Sequence, residues 1–132
     1  MLKRGELEAA QAYLDKSLAI WQPIADESPT NANLQGSFAD AIEGQGDVFL
    51  AKGDVENAKK KFEESFEIYQ RFNLQSAILR SLDRLAKVPS SKVTWTQVLV
   101  QAEKMKAQGT LELRDAANLE DWRLKSSAEK KK

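Results

Sequence analysis

Three carboxylates recur at helical spacing near the middle of this sequence. Asp40, Glu43 and Asp47 follow one another at steps of three and four residues, which places them on one face of a helix. Carboxylates grouped in this way can act as general acid and base or can hold a hard cation. No neighbouring pattern supplies a nucleophile or a metal-binding loop, so a solvated or peptide-facing stripe is the favoured interpretation.

A set of basic residues follows about 40 residues later in the chain. Arg80, Arg84 and Lys87 share one face of a predicted helix and are opposite in charge to the acidic stripe. The two sets together could form a charged groove that binds a peptide. Salt bridges between neighbouring helices, or plain solvation, are the alternatives that the sequence leaves open.

The segment GQGD, residues 44–47, invites comparison with a phosphate-binding loop. The Gly-Lys-Ser/Thr that completes such a loop is absent, and the segment falls inside a predicted helix. Small residues at a helix crossing explain the glycines better.

Composition excludes most catalytic chemistry. The 132 residues contain no Cys and no His, so neither disulfides nor thiolate or imidazole chemistry is available. Lys plus Arg equals Asp plus Glu at 20 each, which gives no net field to attract nucleic acid or an anionic membrane. We therefore expect no enzyme, metal or cofactor, no nucleic-acid or membrane partner, and a soluble, cytoplasmic protein.

Two stretches of eighteen residues echo each other. GELEAAQAYLDKSLAIWQ, residues 5–22, matches GDVENAKKKFEESFEIYQ, residues 53–70, at an offset of about 48. Ala10 pairs with Ala58 and Leu14 pairs with Phe62, and apolar residues recur at steps of three and four in both copies. Each copy is predicted to be an amphipathic helix, and Gly53 with Asp54 supplies a turn and a cap before the second copy.

Further helices fill the rest of the chain. Pro29 ends the first helix, and Thr30 or Asn31 caps a second helix that Gly53 stops. A shorter echo begins at Asn73, and Pro89 separates its helix from one that ends at Gly109. A last helix is expected to have Asp115 as its cap and to bury Leu119 and Trp122. Trp21, Trp95 and Trp122 all lie on apolar faces, where burial is expected.

The segment IEGQGDVFLAKGDVENAKKKFEESFEIY resembles the tetratricopeptide repeat, a motif of two antiparallel helices. Gly46 stands at the small site of the first helix, and Phe49 is the aromatic residue three positions on. Gly53 lies in the turn, Ala58 at the small crossing point of the second helix, and Phe62 beside it as the bulky plug. Ala10 and Leu14 match the second helix of a preceding repeat.

The resemblance, which is to the C-terminal part of a bacterial-type array, implies an all-α solenoid of about six antiparallel helices in a right-handed superhelix. A single domain, residues 1–125, would comprise a half repeat at 3–26, a full repeat at 31–72, a degenerate repeat at 73–109 and a capping helix at 112–125. Residues 126–132 would form a disordered tail.

The same resemblance implies a scaffold that binds a protein or peptide on its concave surface. The groove residues would be Asp40, Glu43, Asp47, Arg80, Arg84 and Lys87. A homo-oligomer is the alternative, because a half repeat leaves an apolar helix face without a neighbour and such ends tend to associate. That association face would comprise Leu7, Leu14, Leu18 and Trp21.

Overall fold

The computed structural model describes residues 3–130, and these residues form helices and connecting turns without a strand. The chain divides into two compact units, Met1–Leu74 and Gln75–Lys132. No helix among the described residues is long and apolar enough to cross a membrane. Residues 3–130 contain seven helices, which are α1 Arg4–Glu27, α2 Ala32–Ala51 and α3 Val55–Arg71 in unit 1, and α4 Gln75–Ala86, α5 Trp95–Gln108, α6 Leu113–Ala116 and α7 Leu119–Lys130 in unit 2.

Side-chain caps and left-handed residues set the helix boundaries. Asn31, one of the two caps that the sequence allowed, caps α2 by accepting from the Leu34 amide at 3.1 Å, and Asp54 caps α3 as predicted by accepting from the Asn57 amide at 3.2 Å. Gly53 has φ of 82°, which lets the Asp54 amide reach back to the Phe49 carbonyl at 2.9 Å. Asn73 after α3 and Gly109 after α5 also have positive φ. In each case the amide of the next residue donates to a carbonyl five residues earlier in the chain at 2.9 Å.

Unit 1 is built around α2, which packs between α1 and α3. Gly44 of α2 meets Leu14 of α1, and a Cβ at Gly44 would lie 2.9 Å from Leu14 Cδ2. Gly46 of α2 meets Phe62 of α3, and a Cβ there would lie 2.6 Å from the ring. Positions two residues apart on a helix differ by a rotation of about 200° around its axis. The two glycines therefore lie on opposite sides of α2, one facing α1 and the other facing α3. Leu14 and Phe62 are equivalent positions of the sequence echo.

Polar side chains hold α1 against α2 in antiparallel order. The Gln45 amide donates to Asp15 at 2.9 Å, and the Gln35 amide, nearer the start of α2, donates to the Ala25 carbonyl at 2.8 Å. Gln35 is buried, and its bond adds to the one that the Ala25 carbonyl, in the last turn of α1, accepts from the Ser28 amide at 3.2 Å. The buried Gln35 side chain thereby holds the turn between α1 and α2 in place.

Unit 2 has its core between α4, α5 and α7. The buried apolar residues of α5 are Val98, Ala102 and Met105, and Trp122 of α7 is buried with its indole N–H donating to Asp83 of α4 at 3.0 Å. Asp115, expected to cap the last helix, lies instead inside the short helix α6. The chain makes this extra turn before α7 begins at Leu119, which is buried as expected.

The end of α7 caps the start of α5. The Glu129 carboxylate accepts from the Trp95 amide at 2.7 Å and from the Thr96 amide at 3.0 Å, two donors that have no partner within their own helix. Ser126 is buried and bonds the Thr96 hydroxyl at 2.8 Å. Residues 126–130, expected to be a disordered tail, are therefore helical because they pack on α5; residues 131–132 lie outside the described part.

Replacing Gly46 with Ala is expected to destabilise the chain by about 1–3 kcal/mol, because the new methyl overlaps the Phe62 ring. Gly5→Ala is the matched control, since nothing lies within 4 Å of a Cβ there and Ala favours the helix by about 0.5–1 kcal/mol. Urea unfolding measures both changes. Adding Phe62→Leu should cost less in the Gly46→Ala background than in the wild-type chain; strict additivity would contradict the contact.

Glu129→Ala is expected to lower the free energy of unfolding by about 1–2 kcal/mol, because it leaves two helix-end amides without an acceptor. The control is Ser127→Ala, an exposed change on the same helix. Amide hydrogen exchange gives the direct readout: protection of the Trp95 and Thr96 amides should fall in Glu129→Ala and persist in Ser127→Ala. Unchanged protection at both amides would show that the carboxylate does not cap α5.

Candidate interaction surfaces

The acidic stripe of α2 is only partly open to solvent. Asp40 and Asp47 are exposed, whereas Glu43 is buried with 5% of its surface accessible. The Tyr69 hydroxyl of α3 donates to Asp40 Oδ1. Asp40 and Asp47 are thus the two members of the stripe that a ligand can reach in unit 1, and Asp40 also joins α2 to α3.

The basic residues lie in unit 2 among carboxylates. Arg80 and Arg84 are half-buried on α4, and Lys87 is exposed just beyond its end. Lys87 Nζ lies 2.9 Å from Asp83 Oδ2, the carboxylate that also accepts from Trp122. The acidic set therefore lies in unit 1 and the basic set in unit 2.

Asp115 of α6 lies among charges of both signs. Burial raises the pKa of its carboxyl above the usual value, the neighbouring Arg114 opposes this, and Glu112 adds to it. The charge of Arg80 also lowers this pKa, while Asp83 raises it. Arg80 thus acts on a carboxylate of α6 within unit 2.

The face of α1 expected to mediate association is turned toward α2. Leu7 is buried, Leu14 packs on Gly44, and Leu18 and Trp21 are half-buried. A neighbouring stripe is exposed instead. It comprises Tyr13, Ile20 and Ile24, whose surfaces are 71%, 63% and 38% accessible. At about 100° per residue the three share one side of α1.

The residues expected to pack the repeats lie at or near helix contacts of unit 1. Ala58 and Phe62 are fully buried, and Gly46 meets the Phe62 ring. Ala10 and Phe49 are half-buried, and Gly53 occupies the left-handed turn position.

A groove that the sequence did not predict lies within unit 1. We name it the α1–α3 groove; it has a volume of about 440 Å³. Its apolar residues are Ala25, Pro29, Phe38, Ile42 and Ile68, and its polar or charged residues are Asp26, Gln35, Glu64, Glu67 and Arg71. Ala25 and Ile42 are buried, whereas the four charged residues are exposed. The groove therefore has an apolar base and a rim of three carboxylates and one guanidinium.

Within residues 3–130, no three or more His, Cys, Asp or Glu side chains are grouped so as to hold a metal ion. Comparison with protein-family models, with curated proteins and with solved structures finds no match.

Proposed function

We propose that this chain is a protein-interaction module of the tetratricopeptide type that binds a helix or peptide of another protein, in the cytoplasm and without catalysis. The observation that carries this proposal is the unequal covering of two equivalent helices. In α3, Ala58, Phe62, Ser65 and Tyr69 are at most 1% exposed.

The equivalent positions of α1 are less covered. Ala10, Leu14, Ser17 and Trp21 are all half-buried, and the exposed stripe of Tyr13, Ile20 and Ile24 runs beside them. The same sequence pattern is thus fully covered in α3 and only half-covered in α1, where an exposed apolar stripe adjoins it. Open apolar surface on a helix favours association with another helix.

The chemistry of the expected occupant follows from α2. It would be an amphipathic helix with a small residue where it crosses α1, as Gly46 is where α2 crosses α3. Charged residues would provide further contacts within each unit taken by itself. These are Asp40 and Asp47 for a peptide bound to unit 1, and Arg80, Arg84 and Lys87 for a peptide bound to unit 2.

A labelled synthetic peptide with the sequence of α2 is a suitable probe, because α2 is the helix of this chain that packs on both α1 and α3. We expect saturable binding to the full chain, measured by fluorescence anisotropy, and a loss of about tenfold in affinity for Ile20→Glu, which places a charge in an apolar interface. The matched control is Ala19→Glu, an exposed neighbour on another side of α1.

Sedimentation velocity of the same variants separates a foreign partner from a second copy. Self-association that strengthens with concentration and disappears in Ile20→Glu would assign the α1 stripe to a homo-oligomer. No peptide binding together with no effect of Ile20→Glu on any association would overturn the proposal.

A further inference from the structure

The α1–α3 groove offers a second surface, distinct from the α1 stripe. Its apolar base is available to a ligand in part, because Phe38 and Ile68 are half-buried whereas Ile42 beneath them is buried. The volume of about 440 Å³ falls within the range of about 300–1,000 Å³ that is usual for binding pockets. An inserted apolar side chain would therefore find a site of suitable size.

The groove is formed in advance by packing that needs no ligand. Gln35 donates to the carbonyls of Ala25 at 2.8 Å and Ser28 at 3.3 Å, which fixes the end of α1 over the start of α2. The Tyr69 bond to Asp40 and the Phe62 contact with Gly46 fix α3 on α2. Little ordering of the backbone would accompany binding, and this favours affinity.

The rim carries an excess of negative charge, with Asp26, Glu64 and Glu67 against Arg71. Asp26 accepts from the neutral amide of Gln22 at 3.0 Å, an interaction that leaves its charge in place. The whole chain has a net charge of zero, so this excess is a local property of the groove.

The ion pairs at the rim are weak enough to exchange. Glu64 lies 3.7 Å from Lys61, and Glu67 lies 3.7 Å from Arg71, and the carboxylates of both pairs are largely exposed. Exposed pairs of this kind contribute about 0–1 kcal/mol each. A cation from a partner can replace them at small cost.

We propose that the α1–α3 groove binds a cationic amphipathic segment of a partner protein, with an apolar side chain on Phe38 and Ile68 and flanking Lys or Arg residues at Glu64 and Asp26. Charge complementarity is the reason to expect a cationic partner. A neutral or acidic segment could contact the same apolar base but would not form ion pairs with the carboxylates of the rim. The proposal does not depend on the α1 stripe.

The test uses the isotopically labelled full chain and two peptides of about 16 residues, roughly four helical turns. One is an amphipathic peptide of Leu and Lys, and the other replaces every Lys with Glu. We expect the Leu/Lys peptide to shift the amide resonances of residues that line the groove, and the Leu/Glu peptide to leave them unchanged. Binding should weaken as salt increases, since exposed charges are screened.

Glu64→Lys and Glu63→Lys form a matched pair, because both change the net charge equally and only Glu64 lines the groove. We expect Glu64→Lys to weaken binding of the Leu/Lys peptide by about tenfold and Glu63→Lys to leave it within about twofold. Equal weakening by both variants, shifts confined to residues outside the groove, or no saturation up to about 1 mM peptide would each overturn the proposal. The Ile20→Glu variant should bind this peptide normally, which separates this result from that of the α1 stripe.

Discussion

The close approach of α3 to α2 at Gly46 is the constraint on which the rest of unit 1 depends. A ring in contact with the backbone of a helix requires the absence of a Cβ, and Gly46 is the residue that allows Phe62 to reach full burial. Gly44 provides a similar approach for Leu14 on the other side of α2. Because α2 packs between α1 and α3, it separates these two helices. The α1–α3 groove lies between them, and residues of α2 contribute to its base.

Unit 2 obtains its order by different means. Its polar interactions join α7 to the rest of the unit, through the Trp122 indole at Asp83 and through the Glu129 carboxylate at the start of α5. Lys125 adds a contact with the Trp95 ring, 4.2 Å from the centroid. The last helix is therefore an integral part of the unit, and its final turns stabilise α5 directly.

Local signals predicted the helices and most of their ends well. Apolar periodicity located α1 to α5, and turn chemistry located the caps at Asn31 and Asp54 because these effects involve residues near in sequence. Pro23 lies inside α1, a position that local rules disfavour. The helical end of α7 escaped prediction because its stability comes from α5, about 30 residues earlier in the chain.

The surfaces were harder to predict than the helices. Periodicity showed that α1 has a broad apolar side, but the half facing α2 is fixed by the Leu14 contact with Gly44, which no local pattern reveals. The burial of Glu43 was likewise not predictable, because the spacing of carboxylates along a helix does not indicate which of them another helix covers. The α1–α3 groove draws its lining from three helices, so it exists only after they pack.

Nuclear Overhauser measurements on the labelled chain test the central claim most directly. The packing of α2 between two equivalent helices predicts cross-peaks between the Phe62 ring protons and the Gly46 α-protons, and between the Leu14 methyls and the Gly44 α-protons. Both sets should be strong, because each pair of groups is in van der Waals contact. Absence of both sets from a folded chain with its other resonances assigned would contradict the account of unit 1.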